Sequence, residues 1–161
     1  MTAGNFTSEE TINTLKAIFD KHKNERVCVL GAICAGKSTL LKQLSGYSCL
    51  DMDDELWPNL PQEETAFLNQ TPWTEEMGDE IDRLAYKYLK VKPGYPLFTT
   101  VIPDCEAVIY LDISDCLLME HCEKRGESFA DAKRIKEAIE GDWNAHKAEN
   151  KKVFYYVMLT Q

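Results

Sequence analysis

Apolar residues recur along the chain with two spacings. After Thr7-Ser8-Glu9-Glu10, which has the form of a capping box, Ile12, Leu15, Ile18 and Phe19 repeat at helical intervals and predict an amphipathic first helix. A charged break from Lys21 to Arg26 follows, and Val27-Cys28-Val29-Leu30 then reads as a short strand buried on both faces. Lys37 to Leu44 places Leu40, Leu41 and Leu44 on one side, so the local order is strand, glycine-bearing loop, helix. A second strand is expected over Tyr47 to Leu50, leading into the acidic segment Asp51-Met52-Asp53-Asp54-Glu55.

From Trp57 to Pro72, prolines 58, 61 and 72 interrupt regular structure, with room for a short helix over Gln62 to Leu68. Thr74-Glu75-Glu76-Met77 caps another helix that carries Met77, Ile81, Leu84, Ala85, Tyr88 and Leu89 inward until Lys92-Pro93-Gly94. Leu97 to Ile102 and Ala107 to Leu111 predict the third and fourth strands. Only Pro103 to Glu106 separate them, and at roughly 3.3 Å per residue four residues cannot return along a strand. The third strand is therefore expected to stop near Thr99, with no helix after it. Ser114 to Lys124 reads as a helix broken by Gly126, and Ser128 caps a longer one to about Lys147, with Ile135, Ile139 and Trp143 on one face. Val153 to Leu159 is the last strand. Strands alternating with helices predict an α/β fold: a three-layer α/β/α sandwich around a mainly parallel, five-stranded sheet.

At 161 residues the chain suits a single domain spanning 1–161. No apolar run approaches the roughly 18 residues of a membrane helix, and Met1 to Phe6 has no secretory pattern, so a cytoplasmic protein is expected. The net charge of −9 argues against a nucleic-acid partner. Six cysteines without a C-x-x-C pair, and three scattered histidines, give no zinc spacing and predict reduced, mostly buried thiols.

The chemistry concentrates after the first strand. Gly31-Ala32-Ile33-Cys34-Ala35-Gly36-Lys37-Ser38 satisfies G-x-x-x-x-G-K-[ST], a P-loop, between a buried strand and a helix. Glycines there let backbone N–H groups converge on phosphate oxygens, and the helix start adds positive charge. Lys37 would reach the β- and γ-phosphates of ATP, Ser38 would ligate Mg2+, and Thr39 completes the nucleotide-binding segment. The only Asn-Lys pair, at Asn150-Lys151, lacks the aspartate of the GTPase base-reading motif. Asp112 is followed by Ile113, where ABC-type ATPases carry a glutamate.

With the P-loop, the segment Asp51-Met52-Asp53-Asp54 resembles the D-x-D of shikimate kinase and the D-x-D-D of gluconate kinase, in the family of small P-loop kinases. The resemblance implies sheet order 2-3-1-4-5, Asp51 as a magnesium-side carboxylate and Asp53 as the group that receives or orients the acceptor hydroxyl. Independently, positions 51 and 53 of a strand-like exit would point to one side, placing two carboxylates toward the γ-phosphate. The alternative is a solvated acidic turn capping a helix at Glu55.

Phosphoryl transfer also requires cations over the transferred group. By resemblance, a substrate-side segment is expected at about 54–92 and a lid at about 121–134, with Arg125 the first choice for that role and Arg134 the second. Arg83 would hold an acceptor's carboxylate or phosphate, or else pair with Asp79 on its own helix. Trp57 and Trp73 would stack on a base or close over a sugar, or else serve packing. The reading is an ATP-dependent kinase acting on a hydroxyl of a small metabolite or nucleoside. Its alternatives are a nucleoside-monophosphate kinase and a non-catalytic ATP-binding module of kinase-like fold.

Overall fold

The computed structural model describes residues 9–31, 37–69 and 74–159. The elements are α1 (Glu9–Lys21), β1 (Val27–Leu30), α2 (Lys37–Gln43), β2 (Leu50–Asp51), α3 (Met52–Leu56), α4 (Gln62–Leu68), α5 (Glu75–Tyr88), β3 (Leu97–Thr99), β4 (Ala107–Asp112), α6 (Asp115–Arg125), α7 (Phe129–Glu149) and β5 (Val153–Met158). All five strands are parallel, in the order β2-β3-β1-β4-β5. The three-layer α/β/α architecture and the strand order both match the expectation from sequence.

Parallel strands need both faces covered, and the alternation along each strand divides the core accordingly. Val27, Val29, Phe98, Ala107, Ile109 and Leu111 face the layer formed by α1, α2 and α6. Cys28, Leu30, Leu97, Val108 and Tyr110 face α3, α5 and α7. Trp143 of α7 anchors that second layer, tilted against Tyr110 with centroids 5.4 Å apart and edge-on to Phe154 at 5.2 Å.

Helix ends follow local chemistry. The hydroxyls of Thr74, Ser114 and Ser128 accept from the backbone N–H groups of Met77, Leu117 and Asp131, capping α5, α6 and α7. Gly126 closes α6 in the left-handed region at φ 69°, as the sequence break required. The capping box before α1 begins at Thr7 and Ser8, outside the described residues, as does Trp73.

Two boundaries differ from the sequence reading. Tyr47 to Leu50 does not form the second strand. Ser45–Tyr47 is a 3-10 turn, Ser48 is left-handed at φ 51°, and only Leu50 and Asp51 pair with β3, opposite Leu97 and Phe98. The strand is short because Tyr47 leaves the sheet edge to tilt against Phe19 of α1, with centroids 5.6 Å apart. Helix α5 ends at Tyr88 rather than at the Lys92-Pro93-Gly94 stop, since Leu89 turns extended and buries against β1 and α3.

The expected strand without a following helix is present. β3 stops at Thr99, and residues 100–106 return directly to β4. Seven extended residues reach roughly 23 Å, enough to pass back over four-residue β1. Val101, Ile102 and Cys105 of this segment are buried in the α3–α5–α7 layer, where a helix would otherwise lie. Cys105 Sγ sits 3.6 Å from Cys28 Sγ beneath it, both as free thiols. Among the described residues no helix is long and apolar enough to cross a membrane.

Candidate functional site

The G-x-x-x-x-G-K-S sequence of residues 31–38 runs from the end of central strand β1 into the start of α2, at the carboxyl edge of the sheet. Ala32, Ile33, Cys34, Ala35 and Gly36 lie outside the described residues, as do the side chains of Lys37 and Ser38; Thr39 is half-buried on α2. Gly31 continues the ladder, its N–H donating to Thr99 O at 3.0 Å. Among the described residues, a Cβ at Gly31 would meet nothing closer than Leu111 O at 3.6 Å, ordinary contact, and its φ is not positive. Packing against the described residues therefore supplies no reason for glycine at position 31.

Asp51 ends β2 two strands away from β1, a separation of roughly 10 Å across the sheet. It does not continue into a strand-like exit. Asp51 is the N-cap of α3, its Oδ1 accepting the Asp53 backbone N–H at 3.0 Å. Asp53 thus lies in the first turn of a helix, so the two carboxylates are not held on one side by strand alternation. The cap forms because Asp51 is followed by Met52 and Leu56, a buried pair four residues apart that favours a helix on the sheet. Asp53 Oδ1 in turn accepts from the Trp57 indole Nε1–H at 2.8 Å. The cap uses Asp51 Oδ1, and no described residue engages the other oxygen, so Asp51 could still hold a cation.

The three arginines expected to supply cations are all exposed. Arg83 is exposed and binds Glu80 Oε1 through Nε at 2.7 Å and Glu64 Oε1 through Nη2 at 3.2 Å, rather than Asp79. Arg134 is exposed on α7, with Asp131 Oδ1 at 3.9 Å. Arg125 is exposed in the last turn of α6. None of the three lines the cavity that contains Asp53.

That cavity, of about 540 Å³, is walled by α3, α5, α7 and the start of the β3–β4 connection. Its lining includes Asp53 and Trp57, Asp79 and Asp82 of α5, and Asp131 and Asp142 of α7. Its apolar walls include Met52, Val101 and Ile139. Burial, with the neighbouring Asp142 and Asp79 carboxylates, pushes Asp82 up to about 7, and burial raises Asp142 as well. Among the described residues, no three His, Cys, Asp or Glu side chains are arranged to hold a metal ion. No family model matches the chain, and no curated protein matches it either.

The sequence reading did not single out Asp79, Asp82 or Asp142 as site residues. Their only signal was a polar position on the inner side of each helix, Asp82 beside Ile81 and Asp142 beside Trp143. Asp112, at the carboxyl end of β4, is engaged by the Tyr110 and Tyr156 hydroxyls and by the Ile113 N–H at 2.8 Å.

Proposed function

We propose that the protein is an ATP-dependent phosphotransferase that moves a γ-phosphoryl group to a hydroxyl of a small molecule. The observation that carries this reading is the G-x-x-x-x-G-K-S sequence of residues 31–38, placed between the central strand and α2, with a ligand-sized cavity at the same sheet edge. Gly31 through Thr39 would hold the phosphates, with Lys37 over the transferred group. Ser38 and Asp51 would hold Mg2+, which neutralises phosphate charge when bound. Asp53 would orient the acceptor hydroxyl and take its proton as the oxygen attacks phosphorus and ADP leaves with the bridging oxygen.

The cavity composition argues against the nucleoside-monophosphate variant. A phosphate acceptor requires basic partners, and no Lys, Arg or His is among the cavity-lining residues described. The engagement of Arg83 with Glu64 and Glu80 favours the second reading, a nucleotide-binding module without turnover. ADP release separates the two: incubation with Mg-ATP and a panel of hydroxyl compounds gives acceptor-dependent ADP that Asp53→Ala abolishes. Nucleotide binding without ADP release across the panel would leave the module.

A further inference from the structure

The cavity between α5 and α7 has a composition that phosphate binding does not explain. At about 540 Å³ it lies within the range of small-molecule sites, roughly 300–1,000 Å³. Its walls are apolar at Met52, Ile81 and Ile139, while its polar side chains are dominated by seven carboxylates, with no basic residue among those described. Asp53, Glu75, Asp79 and Glu127 are exposed, whereas Asp82, Asp131 and Asp142 are half-buried. Asp82 and Asp142 project from different helices into one half-enclosed space, close enough for the charge of Asp142 to act on Asp82.

We propose that this cavity binds an organic cation, an ammonium-bearing alcohol such as an amino alcohol or amino sugar, with the ammonium held by Asp82 and Asp142. The apolar walls take the carbon skeleton, and the hydroxyl points to Asp53 beside the Trp57 indole. An ammonium group relieves the repulsion between the α5 and α7 carboxylates, which a neutral or anionic molecule of equal size does not. The raised Asp82 carboxyl agrees with this, because a bound cation lowers it again and releases a proton. A metal ion is a poorer occupant: no three of the described acidic side chains could ligate one ion, whereas two carboxylates suffice for an ammonium, and the space far exceeds an ion. That the cation is also the phosphoryl acceptor rests on the kinase reading; its binding here does not.

Calorimetry without nucleotide tests the proposal, using ethanolamine, 1,4-diaminobutane and glucosamine as probes beside their N-acetylated counterparts. At least one amine should bind about tenfold or more tightly than its acetylated partner. The Asp82→Asn/Asp142→Asn variant should lose that preference while unfolding at the same or a higher temperature, which shows that it folds. Proton release, measured by repeating the titration in buffers of different ionisation enthalpy, should accompany amine binding near pH 7. Equal affinity for amine and acetylated forms, an unchanged preference in the variant, no binding by any amine, or displacement of the amine by equimolar magnesium would each overturn it. A separate titration with Mg-ATP reports on the nucleotide reading, so a failure of one is distinguishable from a failure of the other.

Discussion

The Trp57 indole N–H donates to Asp53 Oδ1 at 2.8 Å, fixing the carboxylate one helical turn away at the cavity wall. The other constraint on Asp53 is its own backbone N–H, bound to Asp51 Oδ1 at 3.0 Å. The first bond orients the carboxylate and the second fixes the backbone that carries it, so part of the ordering is in place before an acceptor arrives.

Asp53→Ala should therefore lower turnover by about 100-fold or more, the usual contribution of a positioned base. Trp57→Phe keeps the ring and removes only the indole hydrogen bond, worth about 1 kcal/mol, so kcat should fall about fivefold. Steady-state ADP release measures both. Full activity in Asp53→Ala would remove Asp53 from the chemistry.

Asp82 makes stability depend on pH. Its carboxyl is raised to about 7 in the folded chain, from an ordinary value near 3.8. A raised carboxyl favours the folded state in its protonated form, so this contribution is complete below about pH 4 and is lost as pH rises through 7. Asp79 on the same helix and Asp142 on α7 are the charges that face it. Because Asp82 is only half-buried, solvent screening reduces the effect to about 1 kcal/mol. Asp82→Asn should raise Tm by about 2–4 °C at pH 8 and leave it nearly unchanged at pH 4. Thermal unfolding at the two pH values checks this, and an equal shift at both would contradict it.

At the opposite sheet edge, Arg26 and Glu106 clamp the starts of β1 and β4. Glu106 Oε1 accepts the Arg26 backbone N–H at 2.9 Å, Oε2 accepts Nε–H at 2.8 Å, and the Arg26 carbonyl accepts the N–H groups of Glu106 and Ala107. The guanidinium holds the Glu106 carboxyl below its ordinary value, so this stabilisation is present at neutral pH and lost as pH falls below about 4.5. Both side chains are partly exposed, which limits the pair to about 1 kcal/mol. Glu106→Gln should lower the urea midpoint at pH 7, and the difference should shrink at pH 3.5.

Local signals made most of the fold legible. Val27–Leu30 and Ala107–Asp112 are runs too apolar to face water on either side, and Ser114, Gly126 and Ser128 punctuate α6 and α7 through their own hydrogen bonds. The end of β3 followed from chain reach alone. β2 was misplaced because its extent is set by pairing with Leu97 and Phe98, about 47 residues later. Asp53 was expected on a strand because nothing in Asp51-Met52-Asp53 announces a helix until Met52 and Leu56 bury together. The acidic cavity was not legible, since Asp82 and Asp142 lie 60 residues apart and meet only when α5 and α7 pack on one sheet face. Arg83 read as a substrate ligand or a partner of Asp79; Glu80, which it binds instead, lies three residues before it on α5, and its other partner Glu64 emerges only once α4 and α5 are adjacent.

The central claim is that residues 31–39 grip a nucleoside triphosphate. Isothermal titration of the folded protein with Mg-ATP tests it most directly. A saturable heat with a stoichiometry near one is expected, weakened about tenfold or more by Lys37→Ala. No heat from ATP or from any other purine or pyrimidine triphosphate would contradict it, as would a Lys37→Ala variant that binds as tightly as the natural chain.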